Sequence, residues 1–402
     1  YGTFPSFSVG WRISEEKFLK NVDWLSSLKL RASWGQLGNQ EIGTYPFAST
    51  ISLGTNYIFG NGPANGAAQT AMANSKISWE ETTTKGIGLD LGVLGNKLNI
   101  TYDYYIRNTS GILLQLPIPG IIGLNKPYQN AGEVKNTGWD LSINYSNRDR
   151  KFKYNIGLNF SDVKNEVVDL KGTGPYISSY SFVAEGYPIN TLYGYQALGL
   201  FQNQHQIDIS PKQFGTYAPG DIIYKDINGD SVINASDRAP IGNQIPRYTF
   251  GLSFSAQYKN FDLSLLIQGV GKRDVFLHND AVFAFYNAGK IQTWQLDYWT
   301  PENPGAKYPR LIAQTTHNNF QNSSFWVFDA AYARLKNLQL SYSIPRQILE
   351  STFIKGLRFY VSGQNLFTLD SMPKGWDPER PSGDAGVYAI SSTYVFGLNL
   401  TF

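Results

Sequence analysis

Read back from the C-terminus, Phe402, Leu400, Leu398, Phe396 and Tyr394 share one side of an extended chain, and Thr401, Asn399, Gly397 and Val395 share the other. Successive side chains of a β-strand point to opposite faces, so this segment predicts a strand with one greasy face and one small or polar face. The same period of two returns along the whole chain. Leu28, Leu30, Ala32 and Trp34 alternate with Lys29, Arg31 and Ser33, and Ile87, Leu89, Leu91 and Val93 alternate with Gly88, Asp90 and Gly92. Leu98, Ile100, Tyr102, Tyr104 and Ile106 form the next stripe, followed by Trp139 to Tyr145 and Tyr154 to Phe160 at every second position. Tyr248 to Phe254, Phe261 to Ile267, Leu338 to Ile344 and Leu357 to Val361 complete the set before the final strand. Counting FPSFSVGWRI at 4–13, the pattern predicts about eleven strands of roughly ten residues, the length that crosses an outer membrane.

The connections separate a membrane barrel from a soluble sandwich. Gly95-Asn96, the stretch 147–150 and Lys259-Asn260 are tight, whereas 39–78, 115–132, 166–244, 274–330 and 368–388 are long, and the two kinds alternate. Membrane barrels show this asymmetry, with short periplasmic turns and long extracellular loops. If the last strand ends in the periplasm, 166–244 must hold an even number of spanning strands or none. LYGYQALGLF at 192–201 is therefore expected to be loop structure. The fold class that follows is all-β, a transmembrane antiparallel β-barrel, with 1–402 as part of one barrel domain.

Composition agrees. Among 402 residues, 26 are Tyr, 24 Phe and 9 Trp, while charged residues make up only 16%. No run approaches the ~18 uninterrupted apolar residues that a transmembrane helix needs. There is no Cys, which excludes a disulfide framework and thiolate-held metals. A net charge of +3 gives no reason to expect a nucleic-acid partner.

Six phrases carry a family resemblance: FPSFSVGWRISEE at 4–16, LKLRASWGQLGNQ at 28–40, NAGEVKNTGWDLSINY at 130–145, GDIIYKDINGDSVINASDRAPIG at 220–242, YARLKNLQLSYSIP at 332–345 and YVSGQNLFT at 360–368. Together they resemble the C-terminal half of SusC/RagA-type TonB-dependent outer-membrane transporters. The resemblance implies a 22-stranded barrel in the bacterial outer membrane, of which about eleven strands lie here. It implies three partners: an N-terminal half of the same barrel with a plug, a SusD-like surface lipoprotein over the mouth, and TonB acting through the plug. It also implies active import of oligosaccharides or oligopeptides. No plug, TonB box or N-terminal extension is recognisable in these residues, so the chain is expected to be a piece of a longer protein. A passive porin or a surface adhesin is the alternative reading.

Two constellations bear on chemistry. Asp226, Asn228, Asp230, Val232 (through its carbonyl), Asn234 and Asp237 place oxygens at positions 1, 3, 5, 7, 9 and 12 of a loop, the spacing of an EF-hand-like Ca2+ site. Ser231 stands where such loops carry Gly, and Asp237 is one methylene shorter than the usual Glu. An Asx-rich turn is the competing reading. Tyr298, Trp299, Trp326 and Trp376 fall in expected loops, where aromatic faces suit stacking on sugar rings or peptide side chains; the competing role is a membrane-interface belt. Enzyme chemistry is not expected. His205, His278 and His317 lie in loops without ligand spacing, and no nucleophile or metalloprotease motif is present.

Overall fold

The computed structural model describes residues 2–402 apart from 42–44, 116–117, 314–316, 384–385, 387 and 389. Among the described residues, eleven long strands form one sheet in which every strand pairs antiparallel with its neighbours in sequence. They are β1 (Ser6–Arg12), β2 (Leu25–Asn39), β3 (Glu80–Val93), β4 (Leu98–Ser110), β5 (Glu133–Asn147) and β6 (Phe152–Asp169). The sheet continues with β7 (Arg247–Tyr258), β8 (Phe261–Lys272), β9 (Tyr332–Ser343), β10 (Gly356–Asp370) and β11 (Thr393–Thr401).

Register keeps the two faces apart across the sheet. Leu30 pairs with Leu89, Leu89 with Tyr102, Tyr102 with Leu141, Leu141 with Phe160 and Phe160 with Phe250. One residue along, a polar row runs from Lys29 through Asp90, Thr101, Ser142, Asn159, Gly251, Gln268 and Arg334 to Thr368. A one-residue slip would exchange every member of the two rows, so the buried-in-lipid stripe fixes the register. On the polar side Arg31 and Asp103 flank Gly88 in register, and a Cβ there would strike both side chains. The missing side chain lets Arg31 reach across to Asp103 at 2.9 Å and to Asp90 at 2.8 Å.

Two departures from strict alternation were hidden in the sequence. Pairing of β8 with β9 shifts between Leu266 and Ile267, and pairing of β9 with β10 shifts between Leu335 and Asn337. The first leaves Lys336 unpaired, the second leaves Lys336 facing the unpaired Asn365 and Leu366, and Asn365 takes a φ of 52° there. The greasy stripe of β9 therefore continues from Leu338 to Leu335, opposite Ile267 and Phe367.

Several strands run further outward than their apolar stripes. At β3 the pairing extends through Glu80–Thr84, and β6 reaches Asp169, four residues into the expected loop 166–244. Hydrogen bonding between strands does not require apolar side chains, so the wall continues above the lipid where polar residues are free to face water. Phe402 meets an aromatic belt at the opposite end, stacking on Phe353 with ring centroids 5.7 Å apart. Phe261 on Tyr342 and Tyr145 beside Tyr154 lie at the same end of the strands.

The apolar core is not in the wall. The greasy face stays open, with Phe396 76%, Ile87 62% and Phe367 59% exposed, as suits a surface that lipid covers. Buried side chains gather instead in the long loops. Leu192, Ile222, Phe276, Leu277, Val282 and Trp326, together with Met372, pack into one cluster drawn from loops 170–246, 273–331 and 371–392. Each such side chain contributes about 1.5–3 kcal/mol on burial, which offsets the entropy of ordering long segments. The stretch 192–201 lies in this cap as two short strands, Thr191–Tyr195 and Ala197–Leu200, neither of which joins the wall.

Candidate functional site

The loop cap is built around one buried carboxylate. Asp221 has no solvent exposure, and its two oxygens accept a fork from Arg310, Nε to Oδ1 and Nη2 to Oδ2, both at 2.8 Å. Asn319 Nδ2 donates to Oδ1 at 2.8 Å and the Ala218 N–H to Oδ2 at 2.8 Å. His317, also buried, stands with Nε2 3.4 Å from Oδ2, and its Nδ1 accepts the Asn319 N–H at 3.2 Å. Burial pushes the imidazole pKa down, the nearby Asp221 opposes this, and Arg310 reinforces it. Because Nδ1 accepts the Asn319 N–H, the neutral form of the ring carries its proton on Nε2, which stands 3.4 Å from both Asp221 Oδ2 and Arg310 Nη2.

The strand that follows Asp221, Ile222–Tyr224, pairs with Ala197–Leu200 along one edge and is held by side-chain amides along the other. Gln213 Nε2 and Asn318 Nδ2 both donate to the Ile222 carbonyl, at 2.9 and 2.7 Å, and Asn319 Oδ1 accepts the Ile222 N–H. Tyr224 N–H donates to Gln213 Oε1, while its hydroxyl donates to the Asn318 carbonyl at 2.8 Å. Loop 273–331 is thus pinned to loop 170–246 through groups roughly a hundred positions apart; Asp221, Ile222 and Tyr224 lie in the family phrase 220–242, whereas Arg310, His317, Asn318 and Asn319 lie in none of the six phrases. The third loop joins by charge. Arg334 of β9, 2% exposed, meets Asp377 at 2.6 Å and Glu379 at 3.1 Å, and Arg273 donates to the carbonyls of Pro378 and Arg380. Because Arg334 lies on the polar row, residues 377–379 sit against the lumen side of the wall.

Four loop aromatics singled out from the sequence all belong to this cap. Trp326 is 2% exposed, touches Phe283 and Phe325 edge-on, and donates Nε1–H to the Asn319 carbonyl at 2.9 Å. Trp299, 8% exposed, lies over Gly220, whose φ of +91° and missing Cβ let the ring approach. Its Nε1–H donates to Gln202 Oε1 at 3.2 Å. Both rings have their faces taken up by this chain's own atoms. Tyr298 and Trp376 are half-buried; the Tyr298 backbone bridges Tyr308, and Trp376 carries the Arg380 guanidinium 4.7 Å above its ring.

The acidic loop is wound by Asx hydrogen bonds. Asp226 accepts the N–H groups of Gly229 and Ser231, Asn228 that of Asp230, and Asp230 that of Val232, all at 2.8–3.0 Å. Asn234 caps the turn Ala235–Asp237, accepting the Ser236 N–H, and its Nδ2 donates to the Val232 carbonyl. Asp237 is fully buried. Burial raises its pKa, but N–H donors from Asn234, Ile227 and Asn228 outweigh that and hold the carboxyl below the usual range. Asp230 Oδ2 is taken by Asn228 Nδ2 at 2.9 Å and Asn234 Nδ2 at 3.3 Å. Among the described residues no three His, Asp or Glu side chains gather closely enough to hold a metal ion.

The family of TonB dependent receptor-like β-barrels matches residues 1–366. Over its full length the chain is 31% identical to TonB-dependent receptor P3 of Formosa agariphila, covering 42% of that protein. It is 30% identical to TonB-dependent receptor SusC of Bacteroides thetaiotaomicron, covering 40% of it. The solved RagAB peptide transporter superposes on 99% of the chain with a TM-score of 0.82 at 28% identity, the chain covering 43% of the transporter chain. The 402 residues thus span about two-fifths of these relatives, none of which is named as an enzyme. With its eleven-stranded antiparallel wall, and a family match over more than nine-tenths of its length, the chain belongs to the TonB-dependent receptor β-barrel family of the outer membrane.

Proposed function

We propose that this chain forms wall and outer mouth of an importer that carries oligopeptides or oligosaccharides across the outer membrane. TonB drives the cycle through a plug in the rest of the protein, and a SusD-like lipoprotein closes over the loop cap. The observation that carries the reading is the match to the RagAB peptide transporter, which extends over the loops as well as the wall. An ordered cap gives a lid partner a fixed surface to meet, which a set of mobile loops would not. Uptake of labelled oligopeptides and oligosaccharides by cells with and without the full-length gene tests this. Uptake should require the gene and fall to background when TonB is deleted or the proton-motive force is collapsed. Uptake that survives collapse means a passive porin, and surface binding without uptake means an adhesin.

We also propose that loop 226–237 takes a calcium ion, which stiffens the cap without taking part in transport chemistry. The spacing of oxygens at Asp226, Asn228, Asp230, Val232, Asn234 and Asp237 supports it. The ion would replace the Asn228 and Asn234 amides as the partner of Asp230. With a Kd near 10⁻³ M, about 10 mM calcium should slow proteolysis within 220–242 roughly ten-fold. Chelation or Asp230→Ala should remove that protection and leave the barrel intact. A cleavage pattern indifferent to calcium leaves a turn held by its own Asx bonds.

A further inference from the structure

Directly after the acidic loop the chain enters Arg238–Gly242, which pairs with Thr191–Tyr195 in a four-stranded sheet of the cap and sets Arg238 opposite Tyr195. Beside that pair lies a cavity of about 240 Å³ lined by Tyr193, Tyr195, Arg238, Phe320, Gln321 and Asn322, with Ser179 next to Asn322. Its walls are fixed. The Tyr195 N–H donates to the Asn322 carbonyl at 2.9 Å, and Asn322 Nδ2 donates to the Ser179 carbonyl at 2.7 Å. At Gly194 the strand comes so close to that Asn322 carbonyl that a Cβ would collide with it.

Arg238 differs from the other arginines of the cap. Arg310 and Arg334 are paired with carboxylates, and Arg273 is spent on backbone carbonyls. The Arg238 guanidinium lies over the Tyr195 ring at 5.6 Å, and Nε donates to the Tyr195 hydroxyl at 3.3 Å. Its two terminal nitrogens have no partner among the described residues, and no carboxylate pairs with it there. Stacking holds the plane of the fork, so the rotamer cost of gripping an anion is already met.

We propose that this cavity is a subsite for a carboxylate-bearing unit of the imported ligand, with the Arg238 fork as its anchor. A guanidinium presents two parallel N–H groups that match the planar carboxylate, and the polar lining of the cavity, with Gln321 and Asn322 beside Arg238, suits a charged and hydroxyl-bearing or amide-bearing unit. The carboxylate is either that of a peptide, at its C-terminus or on an acidic side chain, or that of a uronic acid in a glycan. The proposal rests on the import reading for its ligand, but it is read separately, by binding.

The test uses the purified full-length transporter and four probes: tetra-alanine and its C-terminal amide, and trigalacturonate and its methyl ester. Binding is measured by calorimetry. At least one acid should bind roughly ten-fold or more tightly than its neutral partner, given the strength of a charge-assisted fork, and which acid does so names the source. Arg238→Gln should bring that ratio to about one, and Arg238→Lys should keep part of it. Gln321→Glu, which leaves Arg238 in place and adds a negative charge to the lining, should also abolish the preference, so the result stands even if Arg238→Gln disturbs the cap. Equal binding of acids and neutral partners, absence of acid binding, or a ratio that survives both Arg238→Gln and Gln321→Glu overturns the subsite. Energised uptake with no acid preference would end this proposal alone, whereas uptake independent of the proton-motive force would end the import reading alone.

Discussion

Asp221→Ala is expected to open the loop cap while the wall stays folded. The substitution strips the acceptor from Arg310 Nε and Nη2, Asn319 Nδ2 and the Ala218 N–H together. Removing one partner of a buried ion pair costs about 3–5 kcal/mol, because the other charge stays desolvated and unpaired. The Arg310 side chain is 28% exposed and recovers some hydration, so the lower end, about 3 kcal/mol, is the expected loss. Hydrogen exchange on the full-length protein should show faster exchange at 213–224 and 308–326, with protection along β7 to β10 unchanged. Asp221→Asn, which keeps the shape and one acceptor oxygen, should lose less. Unaltered exchange in both segments after Asp221→Ala would mean that the apolar cluster alone holds the cap.

Leu265→Arg is expected to cost roughly 2–4 kcal/mol of folding free energy in the bilayer, the penalty of a cation on the lipid face near mid-depth. Leu265 pairs with Phe254 and Leu338 on the greasy face. It lies four residues above Phe261, whose ring meets that of Tyr342 at a tilt in the aromatic belt, centroids 4.7 Å apart. At about 3.4 Å per residue and a tilt near 45°, that is ~10 Å into a band ~25 Å tall. Gln268 on the polar face is a poor control, because its cross-strand partner is Arg334 and a second cation there would repel it. Ser264→Arg is cleaner: Ser264 opposes neutral Ser255 and Gln339, and the open lumen-side cavity of about 390 Å³ that it lines, with Asp262 among Arg148, Lys153 and Arg358, leaves the added charge to water. Folding yields in lipid vesicles should fall steeply for Leu265→Arg and little for Ser264→Arg. Equal yields would assign the faces the other way or remove the membrane from the account.

The wall was legible because lipid imposes its demand on every second residue. Leu30, Leu89, Tyr102 and Leu141 announce one row without reference to anything distant, and the eleven strands follow from that period and from tight turns such as Lys259-Asn260. Where the period breaks, the sequence misleads: nothing local marks Lys336 as the residue that slips between Leu335 and Asn337. The cap was not legible. Asp221, Arg310 and Asn319 look like ordinary loop polars, and only long-range folding brings them together. Trp326 and Trp299 looked like ligand-stacking candidates because an aromatic in a polar loop reads as exposed; the loops instead made a core of their own and buried both rings. Arg238 was passed over because its significance lies in what it lacks, a partner, which no pattern of letters records.

A cap with its own interior also divides the loops into two classes of position with respect to change. Substitutions inside it, at Asp221, Asn319 or Trp326, disturb two loops at once, because Asp221 and Asn319 bond across loops 170–246 and 273–331 and Trp326 holds the Asn319 carbonyl. Positions such as Gln321 line a cavity and make no side-chain hydrogen bond among the described residues, and changes at half-exposed sites of that kind usually stay within about 0.5 kcal/mol. Diversification of what the mouth admits is therefore cheap by repainting the lining and expensive by exchanging a loop. A graft of one loop alone into another barrel of this kind would carry half of a core with it and arrive unfolded.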